Sequence, residues 1–184
     1  INDIKTSEKG AIDGNNYGLV ISSSQNIAIN NGEYYGQRHG ITLGGESFNL
    51  SYPARTIRIN NCKIGSYGTG IVGSDMHGHV DDVVYDNCVL YNGGSISGRN
   101  TEYRNCVIWG ESTYNNAIYG TEVRSGTIRI VNCLLKSRGF NVVGSTGFCN
   151  FGRNGGFATT GARGKITVEF IDNTIDATGI TFTS

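Results

Sequence analysis

The stretches Ile57-Arg58-Ile59-Asn60-Asn61-Cys62 and Val83-Val84-Tyr85-Asp86-Asn87-Cys88 share one pattern: apolar residues at alternate places, then Asn, then Cys. Thr101-Glu102-Tyr103-Arg104-Asn105-Cys106 and Ile128-Arg129-Ile130-Val131-Asn132-Cys133 repeat it. Ile27-Ala28-Ile29-Asn30-Asn31 and Val168-Glu169-Phe170-Ile171-Asp172-Asn173 vary it. Read at Asn31, Asn61, Asn87, Asn105, Asn132 and Asn173, the repeats lie 30, 26, 18, 27 and 41 places apart. Between them falls a second motif, a small or aromatic residue and then a short apolar run, as in Gly18-Leu19-Val20-Ile21, Gly40-Ile41-Thr42-Leu43 and Ala117-Ile118-Tyr119. The two motifs alternate along the whole chain.

A period of two is the mark of a strand with one buried face. A single turn of chain cannot bury that face alone, whereas stacked turns build a continuous core with neighbouring strands about 4.8 Å apart. Unequal spacing with strict alternation means that the strands stay in register while the turns vary. The expected fold is therefore all-β, a right-handed parallel β-helix of about six rungs. An antiparallel sandwich or barrel would need regular hairpin spacing and no alternation of two motifs. The segment 76–84 is too short and glycine-broken for a helix.

Composition agrees. The 184 residues include 28 Gly and one Pro. Strands stacked on both sides use every N–H, so proline is excluded from them, and Pro53 falls in a turn. Glycine without a three-residue period excludes collagen. With 38% apolar residues and zero formal net charge the chain is not disordered and carries no field for nucleic acid or anionic membrane. No apolar run approaches the roughly 20 residues of a membrane span, and polar residues 1–10 do not read as a signal peptide. The chain is expected to be one β-helix domain over 1–184, a piece of a longer polypeptide. Residues 144–164, with seven Gly, would form a lateral loop. Cys62, Cys88, Cys106 and Cys133 share one register without any CxxC pair, which suits a stack of small buried hydrophobes in a reducing compartment and no metal. Cys149 stands apart as an unpaired thiol.

Polar residues gather after the second motif. Aligned on Ile41, Ile71, Ile96 and Ile118, the fourth places beyond are Gly45, Asp75, Asn100 and Glu122, and the sixth are Ser47, His77, Glu102 and Arg124. With Arg99, this predicts one stripe of both signs up the coil, suited to a glycan bearing hydroxyls and carboxylates. Carboxylates two rungs apart would be about 9–10 Å apart, near the span of an inverting glycosidase. On that spacing Asp75 and Glu122 are the expected acid and base, with His77 beside Asp75 as an alternative base. Tyr34, Tyr35, Tyr67, Tyr91, Trp109, Tyr114 and Tyr119 are candidates for stacking on sugars, whereas Tyr85 and Tyr103 face inward by alternation. No cofactor is implied.

Arg38-His39-Gly40-Ile41-Thr42-Leu43-Gly44-Gly45, Ile59-Asn60-Asn61-Cys62 and Asp75-Met76-His77-Gly78, followed by Asp86-Asn87-Cys88, resemble the central domain of bacteriophage tailspike and appendage proteins, within the pectate-lyase-like β-helix superfamily. The resemblance implies a homotrimer on the virion tail that binds, and often cleaves, bacterial surface polysaccharide or teichoic acid. It adds Arg38 and His39 to the candidates; with Arg99, Glu102, Arg124 and Trp109 they make up the expected substrate-binding set. A glycan-cleaving domain and a non-catalytic shaft or recognition segment of a phage protein or adhesin both fit, as does a lyase or epimerase.

Overall fold

The computed structural model describes residues 1–7, 16–44, 53–68, 72–110, 117–137, 149–150 and 165–176, with the backbone alone at 7, 119–124, 137 and 149–150. Their strands are β1 (Lys5–Ser7), β2 (Tyr17–Ser22), β3 (Gln25–Asn30), β4 (Glu33–Gly36), β5 (His39–Gly44), β6 (Ala54–Asn60), β7 (Lys63–Ser66), β8 (Ser74–His77) and β9 (Val80–Asp86). There follow β10 (Val89–Tyr91), β11 (Gly94–Arg104), β12 (Val107–Gly110), β13 (Ile118–Val131), β14 (Leu134–Ser137), β15 (Cys149–Asn150), β16 (Ile166–Ile171) and β17 (Thr174–Asp176).

All pairings among the described strands are parallel, and they form three ladders that the chain visits in rotation, the arrangement of a parallel β-helix. The first ladder stacks β2, β5, β8, the first half of β11, the first half of β13, and β15. The second stacks β3, β6, β9, the later halves of β11 and β13, and β16. The third holds seven strands, from β1 through β4, β7, β10, β12 and β14 to β17.

The repeated stretch is the second ladder. Ile27, Ile57, Val83, Thr101, Ile128 and Val168 form one inward column, and Ile29, Ile59, Tyr85, Tyr103, Ile130 and Phe170 the next. Each fully buried Ile is worth about 1.5–3 kcal/mol. Tyr85 and Tyr103 lie in the core as expected, stacked with centroids 4.7 Å apart and planes 11° from parallel. Their hydroxyls reach the first ladder: that of Tyr85 shares a 2.6 Å hydrogen bond with Ser74 Oγ, and that of Tyr103 donates to the Ser95 carbonyl at 3.0 Å. Tyr34, read as a stacking residue, is also core. It shares the inward column of Ile64 and Leu90 in the third ladder and is completely buried.

Every turn from the second ladder to the third has two residues, the first in the left-handed region: Asn31, Asn61, Asn87, Asn105, Asn132 and Asp172, with φ between 50° and 57°. Asn tolerates that conformation better than other side-chain-bearing residues, and its amide bonds along the axis, as in Asn61 Nδ2 to Asn31 Oδ1 and Asn132 Nδ2 to Asn105 Oδ1, both 2.9 Å. The last repeat is read one place late in the sequence. Asp172 holds the turn, and Asn173 takes the cysteine place, accepting from the Cys133 N–H at 2.8 Å and donating to the Ile130 carbonyl at 2.7 Å. Cys62, Cys88, Cys106 and Cys133 are free and buried, and their thiols donate to carbonyls two residues back, as in Cys62 to Asn60 at 3.2 Å. Neighbouring thiols and burial push Cys62 and Cys106 up, which keeps them protonated.

The unequal spacing arises elsewhere. Residues 45–53 separate β5 from β6, 67–73 separate β7 from β8, and 111–117 separate β12 from β13. All these longer connections border the first ladder, and variable loops on a rigid scaffold are where binding and catalytic groups concentrate. The 144–164 loop expectation lies outside the described residues apart from the two of β15.

Candidate active site

On β8, Ser74 and Met76 face the core, so Asp75 and His77 face outward on the first ladder. Ile41 and Leu43 below, in register with Ser74 and Met76, fix that phase. Asp75 is nevertheless only 4% exposed, and three side chains converge on its carboxylate. His77 Nε2 contacts Asp75 Oδ2. His39 Nε2 lies 3.3 Å from the same oxygen. Ser95 Oγ, one rung above, donates to Oδ1 at 2.8 Å while accepting the Met76 N–H at 2.6 Å. Burial works to raise the Asp75 pKa, but the His77 hydrogen bond and the Ser95 hydroxyl outweigh it and hold the carboxyl below its usual range. Asp75 is thus a buried, ionised acceptor.

Its two histidines are not equivalent. His39 is buried, with Nδ1 2.7 Å from the Val72 carbonyl. A neutral ring donating there leaves Nε2 as an acceptor, and Arg38 Nε meets it at 3.4 Å. Burial lowers the His39 pKa more than Asp75 raises it. His77 instead has its side chain 46% exposed. It is the group of this cluster that reaches solvent, with its ring oriented by the carboxylate beneath. Arg38 also lies over the Tyr17 ring, 5.9 Å from its centroid.

The neutral His39 has a consequence for stability. Unfolded histidine takes up its proton near pH 6.5, while the folded ring does so at lower pH. Between those values the unfolded chain binds more protons, so stability falls as pH drops through about 6.5 towards the folded pKa. Asp75 adds its own loss at more acid pH, from the usual carboxylate range down to its lowered folded pKa. From pH 7 to 5 the melting temperature is expected to fall relative to that of the His39→Gln variant, a comparison in which the contributions of the other groups cancel; parallel profiles would show that His39 carries none of the pH dependence.

The remaining expected site residues are spread over three faces. At the corner between the first and second ladders, Arg99 Nη2 bonds Asp81 Oδ2 at 2.6 Å, and His79 Nε2 meets the same oxygen at 2.8 Å. Glu102 lies on the second ladder, 3.2 Å from Arg129, which also holds Glu169 at 2.9 Å. Trp109 lies on the third ladder. Glu122 and Arg124 are in β13, and their side chains are outside the described residues, as are those of Tyr114 and Tyr119.

The single stripe is therefore a misalignment. Ile41 pairs with Ser74, Ser74 with Gly94, and Gly94 with Ile118, so Ile71 and Ile96 are not equivalents of Ile41. Asp75 and Glu122 do not share a column: Asp75 pairs with Thr42, and Glu122 pairs with Ser97. Continuing the Ser74–Gly94 register by three residues brings Ser97, and above it Glu122, into the column of His77. Ser95 is the contributor that the sequence did not reveal, since only the true register sets it against Asp75.

Comparison with known proteins bears on the family and the fold. A family model described as Gp49, pectin lyase-like, matches residues 1–183. No curated protein sequence matches. Among solved structures, the chain resembles the tailspike gp61 of Pseudomonas phage phi297 at 32% identity and a TM-score of 0.66, over 73% of this chain and 23% of that one. The tailspike gp49 of Pseudomonas phage LKA1 matches at 26% identity and a TM-score of 0.62, over 75% and 23%. The Gp54 tailspike of Acinetobacter baumannii bacteriophage AP22, solved in complex with A. baumannii capsular saccharide, matches at 27% identity and 0.61, over 75% and 22%. The chain thus spans under a quarter of the length of each of these tailspikes.

Proposed function

The chain belongs to the Gp49, pectin lyase-like family, and from that premise we propose that it is the part of a homotrimeric phage tailspike that holds bacterial surface polysaccharide against its first ladder and cuts it there. The observation that carries this reading is the buried, ionised Asp75 with the half-exposed His77 bound to it. A carboxylate that takes the Nε2 hydrogen fixes the ring tautomer, so that Nδ1 is the basic nitrogen. Asp75 stabilises the imidazolium that forms when His77 accepts a proton. It is ill-suited to be a general acid itself, because that role needs a carboxyl protonated near neutral pH. His77 as base on water and Glu122 as acid, two strands up its column and hence about 9–10 Å away along the backbone, support an inverting hydrolysis. The saccharide bound to the AP22 tailspike supports the substrate class.

A second reading has its own support. Within the described cluster the lone carboxylate is ionised, while the Arg38 guanidinium lies next to His39. A base beside a guanidinium also suits elimination, in which His77 removes the proton next to a uronate carboxylate that Arg38 neutralises, a carbon–carbon double bond forms, and the glycosidic oxygen leaves and takes a proton from water. Mass analysis of the products from a panel of bacterial capsular and O-antigen polysaccharides separates the two. Fragments that gain water support hydrolysis, and an unsaturated end supports elimination. Retention of polysaccharide without any product would make the chain a recognition segment and reject both.

A further inference from the structure

The third ladder carries a feature that the Asp75–His77 site does not use. Its outward column runs Tyr35, Gly65, Tyr91, Trp109, Lys136 and Asp176 up successive strands. Tyr67, just beyond β7, stacks on Tyr35 with centroids 5.7 Å apart and planes 25° from parallel. Tyr35 meets Tyr91 at 6.2 Å, and Tyr91 meets Trp109 at 6.4 Å. Lys136 Nζ lies 5.5 Å from the Trp109 ring centroid and 3.4 Å from Asp176 Oδ2.

Gly65 makes the row continuous. A Cβ there would lie 2.9 Å from Tyr35 Cε1 and 3.2 Å from Tyr91 Cβ, so the Tyr35 ring leans over the vacant place to reach two rungs up. The result is four rings in single file, with Tyr67 40% and Tyr91 36% exposed and Tyr35 and Trp109 half-buried. Burial, with Tyr91 and Glu33 nearby, pushes the Tyr35 phenol up to about 12, which keeps it an uncharged hydrogen-bond donor.

We propose that this aromatic track is a second glycan-binding site, separate from the cutting site, which takes an extended stretch of acidic polysaccharide. The ligand class rests on the function proposed above; the location does not. Aromatic faces pack the C–H faces of pyranoses, the tyrosine hydroxyls and the Lys136 ammonium meet hydroxyl and carboxylate groups, and a cation over Trp109 is the place for an acidic sugar. The rung repeat of about 4.8 Å is close to the length of one sugar in an extended chain, so a row of rings at this pitch matches a polymer better than a single small molecule. The row is also one residue wide, flanked by the charged Lys5, Glu33 and Lys63 at its lower end, where a protein partner would call for a broader apolar face.

Trp109 is the single Trp of the chain, so its emission reports on this face. Titrating the His77→Ala protein with oligosaccharides from an acidic bacterial capsule will change Trp109 emission saturably. Trp109→Leu and Tyr91→Leu, which keep an apolar residue on a folded strand, will each weaken retention of the long polysaccharide by about fivefold to tenfold. Melting temperatures will stay within the few degrees expected for partly exposed sites, so the loss of retention is not a loss of fold. Emission that does not respond at saturating oligosaccharide overturns the proposal. So does polysaccharide retention that survives both Leu variants while sedimentation shows fewer associated copies, because the face would then join copies of this chain. Retention that depends on Trp109 in a protein that cuts nothing leaves this site standing and rejects the cutting site instead.

Discussion

Asp75→Asn is expected to reduce polysaccharide cleavage by about 10²–10⁴-fold, the range over which a positioned base acts, while the protein stays folded. The amide keeps the shape of the carboxyl but not its charge. His77 then loses the partner that selects its tautomer and stabilises its protonated form, and Ser95 loses an ionised acceptor at 2.8 Å. His77→Ala will cost the same factor in rate but little stability, since its side chain is 46% exposed. Asp75→Asn will also lower stability by about 1–3 kcal/mol, because a buried network loses its charged centre. The double variant tells a positioning role from a structural one. If Asp75 acts through His77, adding Asp75→Asn to His77→Ala will barely change the residual rate, as for residues that work as a unit. Separate, multiplying losses would mean that Asp75 acts on substrate directly. The pH profile gives a second reading: the Asn variant's acidic limb will move, because the carboxylate no longer stabilises the imidazolium.

The sequence carries the fold almost completely, and for a physical reason. Burial of alternate residues imposes a period of two on every rung, and the turn from the second to the third ladder demands a left-handed residue each time, so Asn31, Asn61, Asn87, Asn105 and Asn132 mark it. That signal is local and is written once per circuit. At Asp172-Asn173 it blurs, since either side chain suits a turn; only the hydrogen bonds of Asn173 with the Cys133 N–H and the Ile130 carbonyl place it in the cysteine column.

The site is legible only where it too is local. Asp75 and His77 are two residues apart on one strand, and Arg38 and His39 are adjacent, so both pairs stand out in the sequence. What joins them is the register of the first ladder, which no local pattern records. The connections on its borders vary in length, and β11 departs from regular pairing with β13 at Ile96/Ser97 and again at Gly98/Arg99. Aligning on isoleucines therefore put Glu122 opposite Asp75 and left Ser95 out. Arg99, Glu102 and Trp109 look alike in the sequence, as polar or aromatic residues on outward faces, but they stand on different ladders. Tyr34 went astray by parity alone, one residue out of phase with Tyr35.

The largest structural effect is expected at Gly98. This residue turns β11 from the first ladder into the second, at φ +73°, where an L side chain is strained by about 1–2 kcal/mol. Space is the greater obstacle. A Cβ at Gly98 would stand 1.9 Å from the Val80 carbonyl oxygen, with the Val80 carbonyl carbon and N both at 2.7 Å. All three are backbone atoms held in the β9 rung beneath, so no rotamer change relieves the contact. Gly98→Ala must therefore separate β11 from β9 at the corner, loosening the Arg99–Asp81 pair and the Tyr103–Ser95 link on either side. Overpacking of this kind adds about 1–3 kcal/mol or more to the backbone strain, so the total is about 2–5 kcal/mol, a large share of a domain's stability of about 5–15 kcal/mol. Gly44→Ala is the matched control. Its Cβ would meet nothing nearer than Ser22 Oγ at 3.8 Å, so the change will be neutral or slightly stabilising through the unfolded chain. Chemical denaturation of the two variants reads the difference directly. Equal midpoints would mean that the corner yields without cost, and the rigid register assigned to β9 and β11, on which the placement of Ser95 against Asp75 depends, would fall with it.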